Sequence, residues 1–93
     1  MKKKVIVFEV VRTRYRSTGS DTDKSVFSCG LFKTEARAIL ELEKLHGVMT
    51  VFSVRWRGDM TKIHHNSFQV YYRDDNRRDV ERDYQIEERT IHD

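Results

Sequence analysis

Ninety-three residues, 38% hydrophobic and 35% charged, hold one core and exclude a second. The absence of proline and a total of four glycines exclude long flexible linkers. Cys29 is the lone cysteine, which excludes an intrachain disulfide and fits a reducing, cytoplasmic compartment. A single domain spanning 1–93 is expected, with a stability of roughly 5–10 kcal/mol.

Met1–Phe8 imitates a signal peptide, but Glu9 and Arg12 interrupt the apolar run too early and no small-residue cleavage site follows. No stretch approaches the ~20 apolar residues of a membrane-spanning helix, so no membrane partner is expected. Residues 4–16, rich in Val, Ile, Phe and Tyr, read as a long strand. Its Arg12, Arg14 and Arg16 continue the face of Ile6, Phe8 and Val10, because side chains alternate along a strand. Residues 17–23 are polar and turn-forming, and read as a mobile loop. Lys24–Phe32 reads as the returning strand of a hairpin, with Cys29 as a small buried hydrophobe beside Phe27 and Leu31.

Thr34 is a good N-cap, and Glu35 suits the helix dipole. A helix is expected over 35–46, with Gly47 as its stop and an apolar stripe from Ala36, Ile39 and Leu40 that Leu42 and Leu45 broaden. Val48–Arg57 reads as a third strand, with Arg55 and Arg57 flanking Trp56, and Gly58-Asp59 as a turn. Residues 60–66 read as a short strand or an irregular connection. Ser67–Arg73 reads as a strand through Phe68, Val70 and Tyr72, and residues 74–79 as a polar turn. In the last segment Tyr84 and Ile86 alternate like a strand pairing back on 67–73, although Val80, Tyr84 and Ile91 also fit a helix. The expected fold is α+β: a mostly antiparallel sheet of four to five strands with one helix packed on one face, in the order β-β-α-β-β-(β).

The sequence sorts the strand residues into a helix-facing set, including Ile6, Phe8, Val10, Phe27, Cys29, Leu31, Phe52, Val54, Trp56, Phe68, Val70 and Tyr72. The opposite set includes Val5, Val7, Glu9, Val11, Tyr15, Met49, Val51, Ser53, Arg55, Arg57, Gln69, Tyr71 and Arg73. The opposite face is too apolar to stand in water, so the C-terminal segment, a second copy or a partner should cover it.

No catalytic signature is present. His64-His65 would point to opposite sides of a strand and lacks a metal-ligand spacing, and no phosphate loop or nucleophile motif occurs. A non-enzymatic chain without cofactor or metal is therefore expected. The net charge of +3 hides a gradient: +5 over residues 1–20, +2 over 21–73 and −4 over the acidic segment 74–93. Candidate partner-binding residues are Arg12, Arg14, Arg16, Tyr15, Arg55, Arg57, Tyr71 and Arg73, with Asp74, Asp75, Asp79 and Glu81 from the acidic segment. Arginine, tyrosine and tryptophan are the side chains enriched at protein interfaces, and a protein partner is the leading expectation. A homodimer is a further expectation. Nucleic acid is the alternative, since guanidinium groups pair with phosphate and tyrosines stack on bases. The arginines of the first strand could also pair internally with the acidic segment.

The Lys-rich start running into a strand, the hairpin, the helix opening Phe32-Lys33-Thr34-Glu35-Ala36 and Gly47 leading into a strand form one pattern. Over residues 1–73 this build resembles that of small phage- or mobile-element-encoded accessory proteins, including anti-CRISPR and other anti-defence inhibitors. The resemblance implies a short, non-enzymatic protein that covers a nucleic-acid-binding surface on a host enzyme.

Overall fold

The computed structural model describes residues 4–92, so the first lysines of the basic start lie outside the described residues. Its elements are β1 (Lys4–Ser17), β2 (Thr22–Phe32), α1 (Glu35–Trp56), β3 (Asp59–Met60), β4 (Ser67–Arg73) and β5 (Asp79–His92). The strands form one antiparallel sheet in the order β2-β1-β5-β4-β3, and α1 packs on one face. The expected α+β architecture is present. The C-terminal segment is a strand, pairing with β4 as expected, but it also lies along nearly all of β1 and forms the middle of the sheet. It therefore builds the sheet and does not cover its second face.

The helix departs most from expectation. It starts as the sequence indicates, with the Thr34 hydroxyl accepting from the Arg37 N–H at 3.2 Å and Glu35 in the first turn. It then runs through Gly47 to Trp56, so the expected third strand over 48–57 is helix. Ala38, Leu42 and Met49 are buried at helical spacing, and Leu45, Phe52 and Trp56 continue the row. A mid-helix glycine costs only about 1 kcal/mol against alanine, less than burying another two turns of apolar side chains returns. At ~1.5 Å per residue the helix is about 33 Å long, nearly twice the expected length. Ala36 and Leu40, assigned to the inner stripe, are exposed. The stop comes at Arg57, which adopts the left-handed conformation at φ 53°. The Gly58 N–H donates to the Ser53 carbonyl at 2.8 Å, and a Cβ on Gly58 would run into the Tyr71 carbonyl. Residues 49, 51, 52, 53, 54, 55, 56 and 57 thus leave the two strand faces to which the sequence assigned them.

Val10, Ala38, Leu42, Met49, Phe68, Val70 and Tyr84 form the core between helix and sheet. Phe68 stacks on Tyr84, with ring centroids 4.7 Å apart, and takes the His46 ring edge-on at 4.9 Å. A bulge in β2 sits at Cys29, between the pairs Val10↔Gly30 and Val11↔Ser28, where Gly30 holds a φ of 138° that only glycine adopts readily. The bulge turns Cys29 toward the core and puts Leu31 on the opposite face, beside Glu9. Desolvation raises the Cys29 thiol pKa, which favours the neutral form. The β1–β2 loop is shorter than expected: the strands run to Ser17 and Thr22, and Thr18 closes on the Asp21 carbonyl at 2.8 Å.

Candidate binding surfaces on the two faces of the central strand pair

The helix crosses the sheet diagonally. It begins beside Phe32, which pairs with Phe8, and ends where Phe52 and Trp56 meet Tyr72 of β4, with centroids 5.0 and 6.2 Å away. The upper parts of β1 and β2 lie outside this diagonal, and Phe27 there keeps 56% of its surface exposed.

Cross-strand partners share a face, so the β1–β5 register decides which charges meet. Arg12 faces Tyr84, Arg14 faces Arg82 and Arg16 faces Val80, on the helix side. Tyr15 faces Glu81, Thr13 faces Asp83 and Glu9 faces Glu87, on the other side. Arginines and carboxylates thus occupy the same two strands but opposite faces. Pairing of the arginine stripe with the acidic segment is realised only at the turn, where Arg16 meets Asp74 at 3.1 Å. Asp74 organises that turn: its Oδ1 accepts from the Arg78 and Asn76 N–H groups, each at 2.9 Å. The Arg78 N–H above all lowers its pKa.

On the helix side, several arginines are held by aromatic rings. Arg12 lies 4.8 Å over Phe27, and Arg82 lies 5.0 Å over Phe52 and 5.4 Å over Tyr72, whose hydroxyl accepts from Arg82 Nε at 3.1 Å. Burial opposes charge on Arg82, but the Tyr84 and Tyr72 hydroxyls outweigh it, so its pKa rises. Arg14 makes no ion pair among the described residues and opposes another guanidinium, Arg82.

The other face is acidic. Asp79, Glu81, Asp83 and Glu87 project from β5, with i,i+2 neighbours about 6.6–6.8 Å apart, and Glu9 joins them from β1. Across the sheet, one row reads Lys24, Tyr15, Glu81, Tyr71, Asp59, so Glu81 sits between two tyrosines. Around that row lies an open depression of about 560 Å³, lined by Tyr15, Ser17, Thr22, Arg57, Gly58, Asp59, Tyr71, Tyr72, Arg73, Asp79, Val80 and Glu81. Desolvation, then a hydrogen bond to Glu81 and its charge, push the Asp83 carboxyl up to about 6. Desolvation, then Glu81 and Asp83, likewise raise Tyr71 and keep its hydroxyl neutral. Only part of this charge is neutralised locally. Arg73 pairs with Asp79 at 3.3 Å, and Arg89 bridges Glu9 and Glu87. Hydrogen bonds from Ser28 and Arg89 lower Glu9.

Of the candidate residues chosen from sequence, Tyr15, Arg57, Tyr71, Arg73, Asp79 and Glu81 converge on this depression. Arg12, Arg14, Arg16 and Asp74 gather on the helix side instead. Arg55 lies on the outer side of α1, away from both groups, and Asp75 is exposed in the β4–β5 turn. The sequence candidates omit Arg82, although the period-two alternation of charge over 79–89 carries its signal. His64 and His65 occupy a turn, not a strand, with rings 4.1 Å apart. Comparisons with protein-family models, with curated proteins and with solved structures found no match to the chain.

Proposed function

We propose that this chain is a non-enzymatic binding module whose acidic, tyrosine-lined sheet face docks on a basic surface of a partner protein. The partner surface is of the kind that holds nucleic acid, so occupying it inhibits that partner. The observation that carries this reading is Glu81 between Tyr15 and Tyr71, in one row over which no element packs among the described residues. A partner lysine or arginine entering this row would find a carboxylate at its head and aromatic rings at its sides. Cation–π contacts contribute about 0.5–2 kcal/mol each, and tyrosines supply rigid contact area.

Affinity should fall with added salt. It should also fall as pH drops through about 6, where Asp83 takes up a proton and the face loses charge. The test is affinity capture from nuclease-treated lysate. Wild-type protein should retain a basic protein that Glu81→Lys loses, and recovery of nucleic acid alone, abolished by nuclease, would defeat the reading.

Arg14 supports a second reading. It faces Arg82 without a carboxylate partner among the described residues, an arrangement that a bound phosphate would relieve. Binding of a fluorescent oligonucleotide that falls steeply with salt and with Arg14→Ala would favour this nucleic-acid role. Absence of binding at low salt removes it.

A further inference from the structure

The outer side of α1 carries four exposed large apolar side chains. Leu40, Val48, Val51 and Val54 are 63, 58, 72 and 77% exposed, and Gly47 lies among them. Beyond its chain neighbours and the backbone of its own helix, no described residue comes within 4 Å of a Cβ built on Gly47, and its φ is not positive. The fold therefore gives no reason for a residue that costs a helix about 1 kcal/mol. Close approach of a backbone from outside the chain is such a reason.

The charges say which backbone. Leu40, Lys44, Gly47, Val51 and Val54 lie along one seam, with Glu41, Val48 and Arg55 on one flank and Glu43 and Thr50 on the other. Two copies placed antiparallel about a two-fold axis near Met49 bring Val51 of one against Gly47 of the other. The first flank then pairs Glu41 with Arg55 of the second copy, and Val48 with Val48. The second flank pairs Thr50 with Thr50. Parallel packing would instead set Glu43 against Val48 and Thr50 against Arg55, with no opposite charges meeting. Neither Glu41 nor Arg55 makes an ion pair among the described residues. Glu41 and Arg55 are also fourteen positions apart on one helix, about 21 Å, so they cannot pair within a chain.

We propose that the outer face of α1 is a homodimer interface in which two copies pack their helices antiparallel across Gly47 and Val51. The sheets then lie outermost, and both acidic faces stay open. A seam of this length falls below the ~1,200 Å² of standard interfaces, so the dimer is weak and concentration-dependent.

Sedimentation equilibrium across a concentration series tests it. The wild-type mass should rise from 11.2 kDa toward twice that value. Val51→Asp and Arg55→Glu, at exposed positions that leave the circular dichroism unchanged, should each weaken association at least about tenfold. The double variant Glu41→Arg/Arg55→Glu should recover it, because the swapped charges meet again only across the antiparallel seam. A wild-type protein that stays monomeric throughout overturns the proposal. So does a dimer indifferent to Val51→Asp, or a double variant no better than Arg55→Glu.

Discussion

On the helix side of the β1–β5 pair stand Arg12, Arg14, Arg16 and Arg82, most of them held by aromatic rings or Asp74. On the other side, Asp79, Glu81, Asp83 and Glu87 stand on an open face beside two tyrosines. The same two strands produce both surfaces, because a strand presents successive side chains to opposite sides. Proximity of two charged segments in a sheet therefore does not make them partners, since register and face decide it. Most of the helix-side arginines are held by aromatic rings or Asp74, whereas Glu81 and Asp83 on the acidic face make no ion pair among the described residues. A slip of one residue between β1 and β5 would bring arginines and carboxylates onto common faces. The core residues Val10, Tyr84 and Phe68 prevent it.

The largest expected effect comes from removing one strand of the pair. Truncation after Arg73 deletes β5, which supplies partners to both β1 and β4, and should abolish cooperative unfolding in a denaturant titration. A stable, cooperative truncated protein would show that the acidic segment is an appendage. Next, Phe68→Ala on the helix side should cost about 3–5 kcal/mol, whereas the half-exposed Tyr71→Ala on the acidic side should cost below about 1 kcal/mol. Equal losses in chemical denaturation would mean that both faces are core. Gly47→Ala should stabilise the monomer by about 0.5–1 kcal/mol in the same assay, since its Cβ meets open space.

The smallest effect is also the most specific to the acidic face. Asp83 has a folded pKa raised to about 6 against an ordinary value near 3.8, so the folded state holds the proton more tightly than the unfolded one. Its ionisation therefore weakens folding, fully so above about pH 7, and the penalty is relieved as pH falls from about 6 to 4. Asp83→Asn should raise Tm at neutral pH, with the gain shrinking as the solution is acidified toward about pH 4. Glu9 and Asp74 act oppositely: their lowered values contribute stability that is lost as acidification protonates them. An Asp83→Asn gain independent of pH would mean that the side chain matters through packing alone.

The sequence made β1, β4 and the helix start legible, because Val10, Phe68 and Val70 alternate cleanly and Thr34-Glu35 is a local signal that needs no tertiary context. The helix beyond Gly47 was not. Val48, Thr50, Phe52, Val54 and Trp56 satisfy a period of two, while Leu42, Leu45, Met49, Phe52 and Trp56 satisfy the helical period. Burial of the second row decides for the helix and leaves Val48, Val51 and Val54 exposed on its outer side. Tyr15, Tyr71 and Arg73 keep the sheet face that alternation assigns them, whereas Arg57 reaches the depression as the cap of α1. Arg55 leaves its assigned face because that stretch is helix, and the raised pKa of Asp83 was not legible, since it arises from burial beside Glu81, a contact that only the folded sheet creates.

Quantitative capture from nuclease-treated lysate, run in parallel with wild type, Glu81→Lys and Arg14→Ala, tests the division between the faces most directly. The predicted result is a bound basic protein that Arg14→Ala retains and Glu81→Lys loses. Retention by Glu81→Lys together with loss by Arg14→Ala would contradict the account and assign the binding surface to the helix side.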